Sequence, residues 1–233
     1  MNQRMRRMSY TQTVIILLLI SFSMTIGQGV DFDDLEKRGD KYYHNGSLFS
    51  GSIYDDHFLG GRRSEGYCEN GYLSGKWTNY YRNGKTKSIS NYTLGMKSGS
   101  YSNYYEDGSV KVECELLSGN KNGELRIYSE RGRLKKRISY KNGKKNGSSY
   151  QYDRKGNVFI YREYLDDIYH GKYIMYDEGG IKMVEIQYQN GKEHGWYITY
   201  QDNGNILTKS YYQNGVQSGK TYLYDVRGIQ IYP

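Results

Sequence analysis

A period of 24 residues constrains this chain more than any other feature. Gly75, Gly99, Gly123, Gly147, Gly171, Gly195 and Gly219 stand 24 apart without a break. So do Gly84, Gly108, Gly132, Gly156, Gly180, Gly204 and Gly228. Tyr80, Tyr104, Tyr128, Tyr152, Tyr176, Tyr200 and Tyr224 form a third series. A fixed period of this size belongs to repeat architectures, in which each unit packs mainly on its neighbours and no central core is needed. Length alone, 233 residues, would suggest one or two globular domains. The 29 glycines would suggest disorder, but 29 tyrosines and a strict grid argue against it. A tyrosine ring packs on a thin sheet while its hydroxyl stays wet.

Each unit carries two turn signals around two short runs, the pattern of a β-hairpin. The stretch Tyr43–Gly66 reads as a degenerate first repeat, because Asp56 stands where the series has Tyr. Better copies begin at Cys68, Tyr92, Leu116, Tyr140, Tyr164 and Tyr188, and a shortened one at Tyr212. Two forms of the turn near Gly84 are conceivable. A two-residue Asn83-Gly84 turn would put Tyr80 on one face with Lys87 and its charged equivalents. A three-residue loop, a type I turn ending in a left-handed Gly with a bulge, shifts parity by one. Tyr80 then joins positions 86, 88, 90 and 92. Down the repeats that face collects Val110, Val112, Cys114, Leu134, Ile138, Val158, Ile160, Val184, Ile186 and Ile206. Because a one-residue slip moves every side chain to the other face, the three-residue loop is the expectation. It also requires Gly at that grid position. Asn-Gly at 142–143, 190–191 and 214–215 marks the second loop, expected to be the wider, with Gly147 and its equivalents closing it.

The segments NGKEHGWYITYQDNGNI and NGYLSGKWTNYYRNGKT resemble MORN-repeat variants, of the kind found in YwqK-type antitoxin-like proteins. The resemblance covers nearly all of residues 43–232. It implies an all-β fold: an elongated, single, curved antiparallel sheet built from about eight 24-residue β-hairpin repeats. It also implies binding of proteins or lipid surfaces rather than catalysis, with no cofactor.

Arg4, Arg6 and Arg7 precede an apolar run from Val14 to Ile26. That run suits a signal-peptide core and is short for a spanning helix, so residues 1–27 read as a signal peptide or an uncleaved anchor. Export to the periplasm, cell surface or medium is the expectation, with membrane anchoring as the alternative. Losing Met1–Gly27 removes three arginines and no acid, so the net charge of +8 falls to +5. Such a balance is weak evidence for any anionic partner. Residues 28–42 are polar and read as a linker with at most a helical turn or two. The repeat domain is then 43–233.

Chemistry-bearing constellations are sparse. His170 and His194 share one grid position, so two strands, roughly 10 Å, separate them. That is too far to share a zinc ion, whose ligands lie about 2 Å away. They read as exposed loop histidines. Asp153, Asp177 and Asp225 recur beside turns, where no pocket would raise a pKa. A carbohydrate-active enzyme is therefore a weak alternative, and no phosphate loop, nucleophile elbow or zinc spacing is present. Cys68 and Cys114 fall four strands apart, roughly 19 Å, beyond the ~7 Å a disulfide spans, so both read as free and partly buried.

Eight basic residues and no acid lie between Arg131 and Lys145. With Lys85, Lys87, Lys111, Arg133, Lys135 and Arg137, they predict a basic ribbon on the polar face. Its plain reading is a solvated face. Its functional reading is a site for an anionic envelope surface, a lipid headgroup or acidic glycan, or for an acidic protein. Nucleic acid is set aside because export removes it from reach. The function expected from these readings is an exported, non-catalytic scaffold that binds a protein or an envelope surface, with a cytosolic antitoxin-like binder as the alternative.

Overall fold

Gly84 shows how each hairpin is made. Its N–H donates to the Tyr81 carbonyl at 2.9 Å, and the Tyr81 N–H donates to the Lys85 carbonyl at 2.8 Å. Gly84 itself has φ +78°, so a type I turn ends in a left-handed residue, as the three-residue loop requires. In the computed structural model, which describes residues 29–232, this turn recurs at Gly60, Gly108, Gly132, Gly156, Gly180, Gly204 and Gly228. Eight hairpins therefore follow one another among the described residues, and neighbours pair antiparallel into one long sheet that does not close into a barrel. The expected leader, Met1–Gly27, lies outside the described residues.

The second loop corrects its expectation. Lys141 pairs with Lys144, and Asn142 and Gly143 have φ +51° and +84°. This is a two-residue type I′ turn, the tighter of the two loops, because its twist matches the flanking strands. The Gly143 N–H donates to the Lys121 carbonyl of the preceding repeat at 2.8 Å, so successive turns are stitched together.

The Gly75 series does not close that loop. It lies inside strands, at a wide bulge. Arg162 pairs with Tyr173 and Tyr164 with Tyr169, so residues 170–172 oppose Glu163 alone. Gly171 has φ +101° there, and a Cβ on it would collide with the Glu163 carboxylate.

A further bulge overturns half of the face assignment. Tyr80 pairs with Thr86, but Asn79 pairs with Ser88, so Lys87 is an extra residue. The same step recurs at Val110/Val112 and Leu134/Lys136. Cross-strand partners share a face. Tyr80 therefore lies with Thr86, Val110's equivalents, Thr78 and Ile89, whereas Ser88, Ser90 and Tyr92 lie on the opposite face with Trp77. Val112, Cys114, Ile138, Ile160, Val184 and Ile186 belong to this second face. Val110, Leu134, Val158 and Ile206 belong to the tyrosine face. The bulge restores the parity that the left-handed turn had shifted.

Burial concentrates on the Trp77 side. Ile53, Cys68, Leu125, Ile160 and Ile186 are buried there, together with Ser88, Ser90, Ser149 and Ser210. A single sheet has no second layer, so large and small side chains alternate down one row: Trp77, Ser90, Tyr101 and Cys114 are successive partners. Gly66 continues this logic, because a Cβ there would strike the Trp77 ring. Cys68 and Cys114 are free and buried.

Residues 28–42, expected to link, are instead built into the fold. Val30–Asp31 pairs parallel with Ile53 and Tyr54, which makes the main sheet mixed at this one place. Asp31 accepts the Asp33 N–H at 3.0 Å and starts the 3₁₀ turn Phe32–Asp34. Phe32 then packs 5.9 Å from Trp77 and 5.3 Å from Tyr42. Glu36–Arg38, Lys41–His44 and Ser47–Leu48 form a separate three-stranded sheet. The apolar Phe32 covers the end of the Trp77 row, which is why a polar-looking segment is ordered.

Candidate binding faces

The six residues of the expected ribbon do not lie together. Lys85 follows the turn glycine and its Nζ donates to the Asp107 carbonyl of the next turn at 3.1 Å. Arg133 does likewise to the Arg154 carbonyl at 3.2 Å. Both link turns along one rim of the sheet. Lys87 and Lys111 are the extra residues of their bulges and overlie Tyr81 and Tyr105, at 5.7 and 5.2 Å. Lys135 holds the same bulge position. Arg137 is on the other face, 4.4 Å from the Tyr150 ring and 3.3 Å from Glu124. The expected alignment of Arg137 with Lys135 is thus broken by the bulge.

What the pairing does bring together is a different set. Lys97, Lys121 and Lys145 are partners of Tyr92, Leu116 and Tyr140 on the Trp77 side. Their ammonium groups lie over tyrosine rings: Lys97 is 5.9 Å from Tyr92, Lys121 is 4.9 Å from Tyr140, and Lys145 is 5.1 Å from Tyr164. This row escaped the sequence reading, although its spacing of 24 was visible, because the bulge parity was not. Lys136, between Ile127 and Gln151, and Arg162, between Ser149 and Tyr173, share the same face.

From Lys87 to Tyr164 this lysine face has cations and tyrosines but no strand carboxylate. Glu65, Glu113, Glu115, Glu124, Glu163 and Glu185 are all on the opposite, carboxylate face, as their partners Thr78, Ser102, Ser100, Ser139, Ser148 and Ile198 show. Ion pairs follow the same division. Arg126 reaches Glu113 at 3.3 Å and Glu124 at 2.5 Å, and Lys182 reaches Glu185 at 2.7 Å. Among the described residues, Lys87, Lys97, Lys111, Lys121, Lys135, Lys136 and Lys145 form no ion pair.

On the carboxylate face the Tyr80 series is anchored by acids of the preceding strand. Tyr80 donates to Glu65 at 2.5 Å, Tyr128 to Glu113 at 2.6 Å and Tyr200 to Glu185 at 3.2 Å. Burial, and then the Glu113 hydrogen bond, push the Tyr128 phenol up to about 12. Burial alone would raise Glu185, but Lys182, Tyr200 and Lys172 hold its carboxyl below the ordinary value.

The remaining sequence candidates are structural. Asp177 accepts the N–H groups of Gly179 and Ile181, each at 2.8 Å, so it closes its own turn. Asp153 and Asp225 do the same. His170 and His194 are not in loops but within the strands Ile168–Tyr176 and Lys192–Tyr200, half-buried. They occupy the grid position of Ser98 and Asn122, which accept the N–H of the next type I′ turn at 3.1 and 3.3 Å. No group of three or more His, Cys, Asp or Glu is placed to hold a metal ion among the described residues.

Comparison with known proteins bears on the repeat itself. Residues 73–93, 97–116, 121–142 and 169–190 match the family model described as MORN repeat variant. Each matched segment starts in the first strand of one hairpin or just before it, and the two middle ones span the Lys97 and Lys121 positions. No curated protein matches the chain.

Proposed function

From the four segments that match the MORN repeat variant model, we propose that this is a non-catalytic, exported scaffold that binds an anionic envelope surface through its lysine face. Proteins of such repeats are generally involved in binding. One observation carries the reading: every strand carboxylate between residues 87 and 164 is on one face, and Lys97, Lys121, Lys136 and Lys145, which form no ion pair, are on the other. Four lysines without acidic partners on one face repel one another, whereas an anionic surface would neutralise them together. The tyrosine rings beneath them hold their stems and add apolar contact at an interface. Export rests on the Arg-flanked apolar run at residues 4–26, and the surface in reach would then present lipid headgroups or acidic glycan.

Co-sedimentation of the chain with anionic vesicles, zwitterionic vesicles and acidic polysaccharide tests the reading. The Lys97→Glu/Lys121→Glu/Lys145→Glu variant, checked for folding by circular dichroism, should lose binding to the anionic surfaces. Arg137→Ala, on the opposite face, should keep it. Binding should also weaken as salt rises and the Debye length falls from about 10 Å to 3 Å. If the folded triple variant binds as well as the parent, the lysine face is only a solvated face.

A further inference from the structure

We propose that the first repeat holds a binding site for a small ligand bearing a carboxylate, on the carboxylate face and away from the lysine rows. A cavity of about 560 Å³ opens there, lined by Tyr54, Arg62, Glu65, Tyr67, Lys76 and Thr78. The repeats themselves show what belongs in it. At four of the in-strand glycines, the side chain of the facing strand leans over the bulge. Asn91 covers Gly99, Ser139 covers Gly147, Glu163 covers Gly171 and Gln187 covers Gly195. In two of these the covering oxygen takes a main-chain N–H: Lys172 donates to Glu163 at 2.5 Å, and Trp196 to Gln187 at 3.3 Å.

The first repeat departs from this pattern at one residue. The position of Glu163 is held by Tyr67, which is 46% exposed. A Cβ on Gly75 would meet nothing within 4 Å, and among the described residues no side chain accepts the Lys76 N–H. The Lys76 N–H is the equivalent of the Lys172 and Trp196 donors. A ligand carboxylate can therefore occupy the place that Glu163 and Gln187 fill from within the chain.

The charges in the cavity agree. Arg62 and Lys76 are cationic, and the one acid in the lining, Glu65, already accepts the Tyr80 hydroxyl and stands 4.0 Å from Arg62. Arg62 rests on the Tyr54 ring at 4.2 Å and is 3.4 Å from Asp56 through Nε. Its Nη1 is shielded from solvent and has no hydrogen-bond partner among the described residues. A guanidinium in the lining can give two parallel hydrogen bonds to a carboxylate, which makes that group its natural complement. Thr78, buried in the floor, and Tyr67, at the mouth, leave room for a small polar body behind the carboxylate.

The test is amide-resolved NMR of the ¹⁵N-labelled chain, titrated separately with acetate, glucuronate, N-acetylglycine and glucose. Saturable movement of the Lys76 amide by carboxylates and none by glucose is the expected result. Stronger binding of glucuronate or of N-acetylglycine than of acetate tells a sugar acid from an amino-acid carboxylate. Tyr67→Glu restores the internal arrangement of Glu163, so it should weaken carboxylate binding about tenfold or more without unfolding the chain. Tyr67→Ser leaves the slot open, as Ser139 is too short to reach the N–H, and should still bind. No saturable movement in the parent, equal movement by glucose, or binding that survives Tyr67→Glu would overturn the site. So would loss of binding in Tyr67→Ser, since the ring and not the slot would then hold the ligand.

Discussion

Leu94 occupies a position built for asparagine. In the type I′ turns the first residue is left-handed, with φ near +50°: Asn45, Asn70, Asn142, Asn190 and Asn214 hold it in five of these turns. Leu94 has φ +50° and is 68% exposed, so it bears the strain of a β-carbon in that region and gains little burial. Leu94→Asn should raise the stability by about 1 kcal/mol, read as a higher urea midpoint with an unchanged slope. Tyrosine titration gives a further residue-scale expectation. The phenols of Tyr128 and Tyr164 are pushed up to about 12, by burial first and then by hydrogen bonding to Glu113 and Tyr169. A raised phenol favours the folded state fully below its unfolded value of 10.0, and this contribution is lost as pH rises through the folded value. Stability should therefore fall between pH 10 and about 12, and Tyr128→Phe should lessen that fall, followed by phenolate absorbance alongside urea midpoints. The Gly residues of these turns were legible in the sequence because each must be left-handed. The strain at Leu94 was not, since only the register reveals that a Leu stands in an Asn position.

At the scale of the hairpin, two glycine series do different work, and substitution should separate them. Gly156 has φ +92° and no atom within 4 Å of an added Cβ. Gly156→Ala should cost roughly 1 kcal/mol, from backbone strain alone. Gly171 has φ +101°, and an added Cβ would displace the Glu163 carboxylate from the Lys172 N–H. Gly171→Ala should cost more, by about 1 kcal/mol or above, because a hydrogen bond to a charged group is lost as well. Equal losses of stability by urea unfolding would show that Glu163 contributes nothing there. The Gly156 series announces itself in sequence through its unbroken 24-residue spacing, with Asn or Asp just before it at Gly84, Gly108 and Gly204. The Gly171 series has the sequence character of ordinary loop glycines, and the bulge at Lys87 has no sequence mark at all. That unmarked bulge is why the apolar residues divide between two faces and why Arg137 parts from Lys135. A bulge costs one residue of parity, and the alternating pattern alone does not say where that residue is inserted.

Over the whole molecule, the period determines the architecture, because 24-residue identity leaves few alternatives to stacked hairpins. Its polarity was less legible: the end before residue 43 reads as a linker, yet Phe32 seals it. A stack in which each unit touches only its neighbours should respond locally to damage at that end. Phe32→Ala removes the ring that packs on Trp77 and Tyr42 and exposes the first row of the sheet. Hydrogen exchange of parent and variant, compared strand by strand, reads the response. Protection should fall in Gly51–Asp56, Arg62–Glu69 and Tyr72–Tyr80, which lie beside the missing ring. It should be unchanged in Lys144–Tyr152 through Lys192–Tyr200, several repeats away. In the parent itself, protection should already be weak in Tyr222–Tyr224 and Gln230–Tyr232, where strands shrink to three residues and Ile231 and Tyr232 are exposed. A uniform loss of protection along all eight hairpins in Phe32→Ala would mean that the sheet opens as one cooperative unit, contrary to nearest-neighbour stacking.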